Sequence, residues 1–183
     1  MKLNIITPCS RPENLKLIEQ SINIPKEFYR WIIVFDKPSI PTEYYIPSNC
    51  EIYSYQQKGS IVGHAQRNFA LNMIKYGYIY FNDDDTILHN NLWNKISNLL
   101  NIYDFISFDQ SNKDGSNRLK GSNIKINYID SHNFIVKYTL CQNIRFHIDK
   151  YNADGYFATD CYRIAKNPIY IPETLSTYNA LRS

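Results

Sequence analysis

A chain of 183 residues has the length of one domain, large enough to bury about 70% of the surface its unfolded form exposes. A hydrophobic content of 44% and an aromatic content of 15% exclude a disordered protein. The balance of 20 basic against 17 acidic residues, net +3, with no Lys/Arg cluster, excludes a tracker of phosphate backbones, so nucleic acid is not an expected partner.

The opening stretch MKLNIITPCSRP carries an apolar run too short for a signal peptide and then meets Pro8 and Pro12, so it reads as a first strand over LNIIT (3–7). A helix is expected near 12–22, with Ser10 and Glu13 as a capping box and Leu15, Ile18 and Ile22 as its apolar face. Strands come next at WIIVF (31–35) and EIYSY (51–55), then a helix near 65–76, a strand at YIYF (78–81), a helix near 91–102 and a strand at FISF (105–108). Residues 110–123, QSNKDGSNRLKGSN, are polar and rich in Gly, Ser and Asn, which predicts a mobile loop inside one domain. IKINYI (124–129) and NFIVKY (133–138) have the spacing of antiparallel strands, and a helix near 155–166 and a strand at PIYIP (168–172) complete the chain. This alternation predicts a single α/β sandwich with a mostly parallel, Rossmann-like central sheet.

No segment reaches the roughly 20 apolar residues of a membrane span. Cys9, Cys50, Cys141 and Cys161 are scattered without a CxxC pair, which argues against a zinc knuckle and structural disulfides and fits a cytoplasmic, reduced protein.

Ligands of open α/β sheets bind beyond the carboxyl ends of the strands, and three such ends here carry aspartate: Asp36, Asp83 to Asp85, and Asp109. For Asp36 and Asp109 a turn or helix-capping role competes with a functional one. Three adjacent carboxylates repel one another unless solvent or a cation intervenes, and hard oxygen ligands suit Mg²⁺ or Mn²⁺. Such ions keep positions for water and substrate phosphates, so the triplet points to a diphosphate ligand.

Four pieces of the sequence, in order, resemble a GT-A glycosyltransferase: IITPCSRPENL, WIIVFDKPS, and the block GHAQRNFALNMIKYGYIYFNDDD (63–85) with its Ala-x-Arg-Asn helix and DxD strand end. The block is similar both to family 2 inverting enzymes and to the Gln-Arg-Asn and Asp-Asp-Asp motifs of glucuronyltransferases, at Gln66 to Asn68 and Asp83 to Asp85. The resemblance implies one nucleotide-diphospho-sugar transferase domain, with a donor half over 1–109 and an acceptor half over 110–183. It also implies a nucleotide pocket at Thr7, Pro8, Arg11, Asp36, Asp83 and Asp84 for a donor such as a UDP-sugar. Arg67 would reach the diphosphate or brace the aspartates, with a surface salt bridge as the alternative. Mn²⁺ or Mg²⁺ would be held mainly by Asp85, with Asp83 and His132 as further ligands. The cation would neutralise the charge of the departing nucleotide.

An inverting transfer needs a carboxylate base on the acceptor side. The segment YNADGYFATDCYRIAKNPIYIPE is similar to the region that supplies it, with Asp154 at the start of a helix and Asp160 within it. Asp154 is favoured, against a plain capping role. Asp130 and His132 in IDSHNFIVK are placed to meet the acceptor or the metal, while His64, His89 and His147 carry less signal. The acceptor is left open between a glycan, a protein and a small molecule. Two other classes also stay open: a GT-A-like binding module without catalysis, and a metal-dependent phosphatase or nuclease, although Ile87 stands where a haloacid-dehalogenase motif needs Thr or Val.

Overall fold

The structure, a computed structural model, describes residues 1–182. Its centre is one eight-stranded sheet: β1 (Leu3–Cys9), β2 (Tyr29–Phe35), β3 (Glu51–Ser54), β4 (Tyr78–Phe81), β5 (Phe105–Ser111), β6 (Asn117–Leu119), β7 (Phe134–Lys137) and β8 (Pro168–Thr177). The order runs β3-β2-β1-β4-β7-β5-β6, with β8 also paired to β5. The β3-β2-β1-β4 half and the β5-β8 pair are parallel, whereas β7 runs antiparallel to both β4 and β5.

Alternation along the strands divides the apolar residues between two cores. Ile5, Trp31, Ile33, Phe35 and Tyr80 face one side, where α1 (Leu15–Ser21) and α3 (Leu92–Ile96) bury Leu15, Ile18, Leu92 and Ile96. Ile6, Ile32, Val34, Ile79 and Phe81 face the other, under α2 (His64–Met73), the short α4 (Tyr138–Cys141) and α5 (Ala153–Ile164). There Phe157 of α5 stacks on Phe146 at 4.4 Å between ring centroids and meets Phe81 edge-on at 5.5 Å. Burying one such ring contributes roughly 1.5–3 kcal/mol, and together they fix where α5 begins relative to β4.

Several local expectations give way to tertiary contacts. The first helix starts at Leu15, after a 3-10 turn over Pro12–Asn14, and the Ser10–Glu13 capping box does not form because Ser10 is bound to Asp84. The helix near 91–102 ends at Ile96; Asn101 takes φ +82° and Leu100 bridges to Tyr103. Inside 110–123, β5 continues to Ser111 beside β8, and β6 returns against it through a tight turn in which Asp114 accepts from Ser116. Residues 124–129 form no strand: Asn127 sits at φ +71°, in the left-handed region, which breaks any ladder there. The last strand extends past 172 to Thr177, so its end reaches the carboxyl edge of the sheet.

Candidate active site

The carboxyl ends of β1, β2 and β4 open onto a cleft of about 530 Å³, a volume typical of small-ligand sites. One wall carries Pro8, Asp36 and Asp83 to Asp85; the other carries Asn127, Asp130 and His132, Asp154 in the first turn of α5, and Tyr178 and Arg182 beyond β8. Phe81 ends β4 in the core, and the turn after it is closed by Asn82, whose Nδ2 donates to the carbonyl of Thr86 at 3.0 Å. That closure delivers three successive aspartates to the cleft.

The three have different surroundings. Asp84 is saturated: its Oδ2 accepts from the backbone N–H of Ser10 (2.5 Å) and Arg11 (2.7 Å) and from Ser10 Oγ (2.9 Å), and its Oδ1 takes Arg11 Nη1 at 2.6 Å. It ties the β1 exit to the β4 exit. Asp83 accepts from Arg67 Nη2 and lies 3.0 Å from His132 Nε2. Burial works against its charge, yet Arg67 and then His132 outweigh burial and hold the carboxyl well below the usual range. Among the described residues the Asp85 carboxylate meets only Arg11 Nη1, at 3.3 Å; burial and the neighbouring charge of Asp83 push its carboxyl up.

Arg67 is itself buried and gives its Nη1 to the carbonyl of Val62 (2.7 Å) and to His64 Nδ1 (3.2 Å). A guanidinium only donates, so His64 Nδ1 must accept; burial and the Arg67 charge push this imidazole down to about 4, and it is neutral. The approach of Arg67 to the cleft depends on Gly63 at the start of α2: its φ is +75°, and a Cβ there would stand 2.7 Å from Pro8. Asp36, exposed at the end of β2, accepts from Gln66 Nε2 at 3.0 Å.

On the opposite wall Asp130 caps the turn Ser131–Asn133 and pairs with Arg118 Nη1 at 2.8 Å. The Arg118 guanidinium lies 3.6 Å over the ring of Tyr178 and donates to Gln110. Burial opposes the His132 imidazolium, but the charges of Asp83 and Asp130 win and raise it to about 9. Asp154 accepts only from Gly155 N–H in its own turn, at 2.9 Å, and has no cationic partner among the described residues. Burial, followed by the charge of Asp130, raises its carboxyl to about 6.

Of the residues singled out from sequence, Pro8, Arg11, Asp36, Arg67, Asp83, Asp84, Asp85, His132 and Asp154 come together in this cleft. Thr7 does not: it is buried beneath it, its Oγ1 accepting from Trp31 Nε1 at 3.0 Å. Asp160 lies outside the cleft lining and pairs with exposed Arg163 at 2.9 Å. Asp109 is interior to β5, bound by Lys120, Tyr170 and the N–H of Gly121. Among the described residues no three His, Cys, Asp or Glu side chains converge as a ready metal cage. Arg118, Tyr151 and Tyr178 also line the cleft and were not singled out from sequence, because nothing local in the chain shows that they face it.

No family model matches the chain, and no curated protein matches it. Among solved structures it is similar to residues 1–349 of TarS from S. aureus in complex with UDP, with a TM-score of 0.79 at 17% identity, covering 97% of this chain and 60% of that one. It is similar to the mannosyltransferase PcManGT from Pyrobaculum calidifontis in complex with GDP-Man and Mn²⁺, with a TM-score of 0.69 at 13% identity, covering 97% of this chain and 56% of that one. The bifunctional IspDF from Campylobacter jejuni is similar at 0.61 and 12%, covering 98% and 51%. The shared feature is the fold, a mixed α/β domain of the GT-A type, and this chain spans little more than half the length of those proteins.

Proposed function

We propose that the cleft binds a nucleoside-diphosphate sugar and transfers the sugar to an acceptor hydroxyl with inversion. The observation that carries this reading is the unequal treatment of carboxylates around one cavity. Asp83 and Asp84 are neutralised by the protein, while buried Asp85 and half-buried Asp154 lack full compensation. The cleft as a whole sets six aspartates against four arginines and the His132 imidazolium. A doubly negative diphosphate would enter such a cavity only with a cation.

Asp85 suits that cation. Mg²⁺ and Mn²⁺ are commonly held by one or two carboxylates, with substrate phosphates and water filling the other positions, and Asp85 is the member of the triplet whose oxygens are least engaged. Asp83 joins only by giving up Arg67 or His132. A bound divalent cation supplies positive charge for the departing diphosphate. Arg67 then braces Asp83, and Arg11 holds Asp84 and the edge of Asp85.

Asp154 is the base of this reading. A carboxyl near 6 is ionised at neutral pH yet accepts a proton more readily than an ordinary aspartate. It takes the acceptor hydroxyl proton as the bond from acceptor oxygen to the anomeric carbon forms. The bond from that carbon to the phosphate oxygen breaks, and its electron pair leaves with the diphosphate. The structures of TarS with UDP and of PcManGT with GDP-Man and Mn²⁺ support this reading through the shared fold.

The test is thermal unfolding with UDP. UDP at about 100 times its dissociation constant adds roughly 2.7 kcal/mol, and the gain is expected to be larger with Mn²⁺ than with EDTA. Asp85→Asn is expected to keep the fold and lose the Mn²⁺-dependent part. No nucleotide-induced shift in either condition sinks the reading.

A further inference from the structure

Tyr151 is 77% exposed, the most exposed of the large apolar side chains among the described residues, and it lines the mouth of the cleft beside Asp154. A bare aromatic ring at a binding cavity, rather than scattered on the surface, marks a contact surface. The wall around it is built for close tolerance. Gly155, next to Asp154, packs so tightly on the preceding segment that a Cβ would stand 2.8 Å from Ile126 Cα. Asn127, exposed where it lines the cleft, takes the left-handed region at φ +71°, which Asn adopts more readily than most non-glycine residues. Its Oδ1 accepts from Asn152 Nδ2 at 3.0 Å. Its amide keeps two N–H donors and a second oxygen lone pair to offer.

The wall thus combines a flat apolar ring, an amide that both donates and accepts, and a carboxylate acceptor. A hexopyranose ring has that complement: an apolar face of C–H groups and a perimeter of hydroxyls that both donate and accept. From Tyr151, Asn127 and Asp154 we infer that the acceptor is a sugar, its pyranose ring stacked on Tyr151, one hydroxyl oxygen accepting from Asn127 and the reacting hydroxyl donating to Asp154. A peptide hydroxyl or a polyol phosphate offers no such flat face. This inference rests on the donor-site reading above and adds the acceptor class to it.

The experiment is ligand-observed NMR with the whole chain, saturated with UDP and Mn²⁺, using a panel of methyl hexopyranosides against glycerol 3-phosphate and a serine-containing peptide. Saturation transfer is expected to the ring protons of at least one glycoside. Tyr151→Ala is expected to weaken that glycoside about tenfold, a loss in the range of one aromatic contact, with Tyr151→Phe restoring it. Asn127→Gly keeps the left-handed backbone without the amide and is expected to weaken it as well. UDP binding stays unchanged in all three variants.

The inference is overturned if no glycoside binds while UDP does, or if the phosphate or peptide binds in place of the glycosides. It is equally overturned if Tyr151→Ala leaves glycoside affinity unchanged, or if it weakens UDP-glucose relative to UDP, which would assign the ring to the donor sugar. Failure of UDP itself to bind removes the donor-site reading, and this inference with it.

Discussion

The two walls of the cleft treat the same chemical group in opposite ways. On the β1–β4 wall, Asp83 and Asp84 are each held by an arginine and by further donors, and this charge lattice joins the exits of two neighbouring strands. On the α5 wall, Asp130 is held by Arg118 and by the His132 N–H, but Asp154 has no cationic partner among the described residues. The first arrangement gives rigidity, because carboxylates bridged to backbone N–H groups cannot move without breaking several bonds. Asp154, on the second wall, instead holds a half-buried carboxylate without a compensating cation. Removing Arg67 from the first wall is therefore expected to destabilise, and removing the Asp154 charge from the second to stabilise.

The largest expected effect is at Arg67. Arg67→Met leaves half-buried Asp83 with His132 as its remaining partner and strips Val62 and His64 of theirs; with the guanidinium side of the pair buried, the loss is about 3 kcal/mol. Urea unfolding measures it. A loss below about 1 kcal/mol would show that the lattice is not structural.

Asp154 breaks the comparison from the other side. Its folded carboxyl is raised to about 6 from an ordinary 3.8, so ionising it opposes folding: the penalty is absent below pH 4, grows between 4 and 6, and is complete above. Asp154→Asn is expected to be more stable than the parent at pH 7 to 8, by an amount on the order of 2 kcal/mol, and equal to it below pH 4. Transfer activity of the parent is expected to rise with pH through about 6 and to vanish in the variant, while UDP binding persists. A stability difference independent of pH would sever Asp154 from its charge.

A smaller effect sharpens the contrast on the α5 wall without altering charge. Gly155→Ala places a Cβ 2.8 Å from Ile126 Cα, and overpacking of this kind costs about 1–3 kcal/mol. Because it shifts the start of α5, it is expected to impair transfer more than UDP binding, and equal impairment of both would show that the walls are not separable. The smallest effect is at Asp160, whose partner Arg163 is exposed: Asp160→Asn is expected to change stability by less than about 0.5 kcal/mol and leave transfer intact. Loss of transfer there, with Asp154→Asn active, would move the base one helical face away.

That the aspartates gather at one edge was legible in the chain, since runs such as WIIVF and YIYF, short and β-branched or aromatic, read as buried strands, and the polar residues that follow them surface at the sheet edge. Which carboxylate is neutralised was not legible. Asp84 finds Ser10 and Arg11 across more than seventy residues, and Asp83 finds His132 across 49. The competing local signals were real but weaker: Ser10 and Glu13 spell a capping box, and a helix cap contributes about 1 kcal/mol, whereas Ser10 at Asp84 joins a charged network. IKINYI has the apolar content of a strand, yet the close approach of Gly155 to Ile126 and the left-handed Asn127 shape it into the cleft wall instead. The polar segment 110–123 reads as a loop by composition, and the partner strand β8 draws its first two residues into the sheet. Apolar periodicity acts over a few residues and is written in the sequence, so the strands and helices could be read from it. Charge compensation acts across the gap between elements, so only the packed chain decided which aspartates are bound and which are left to act.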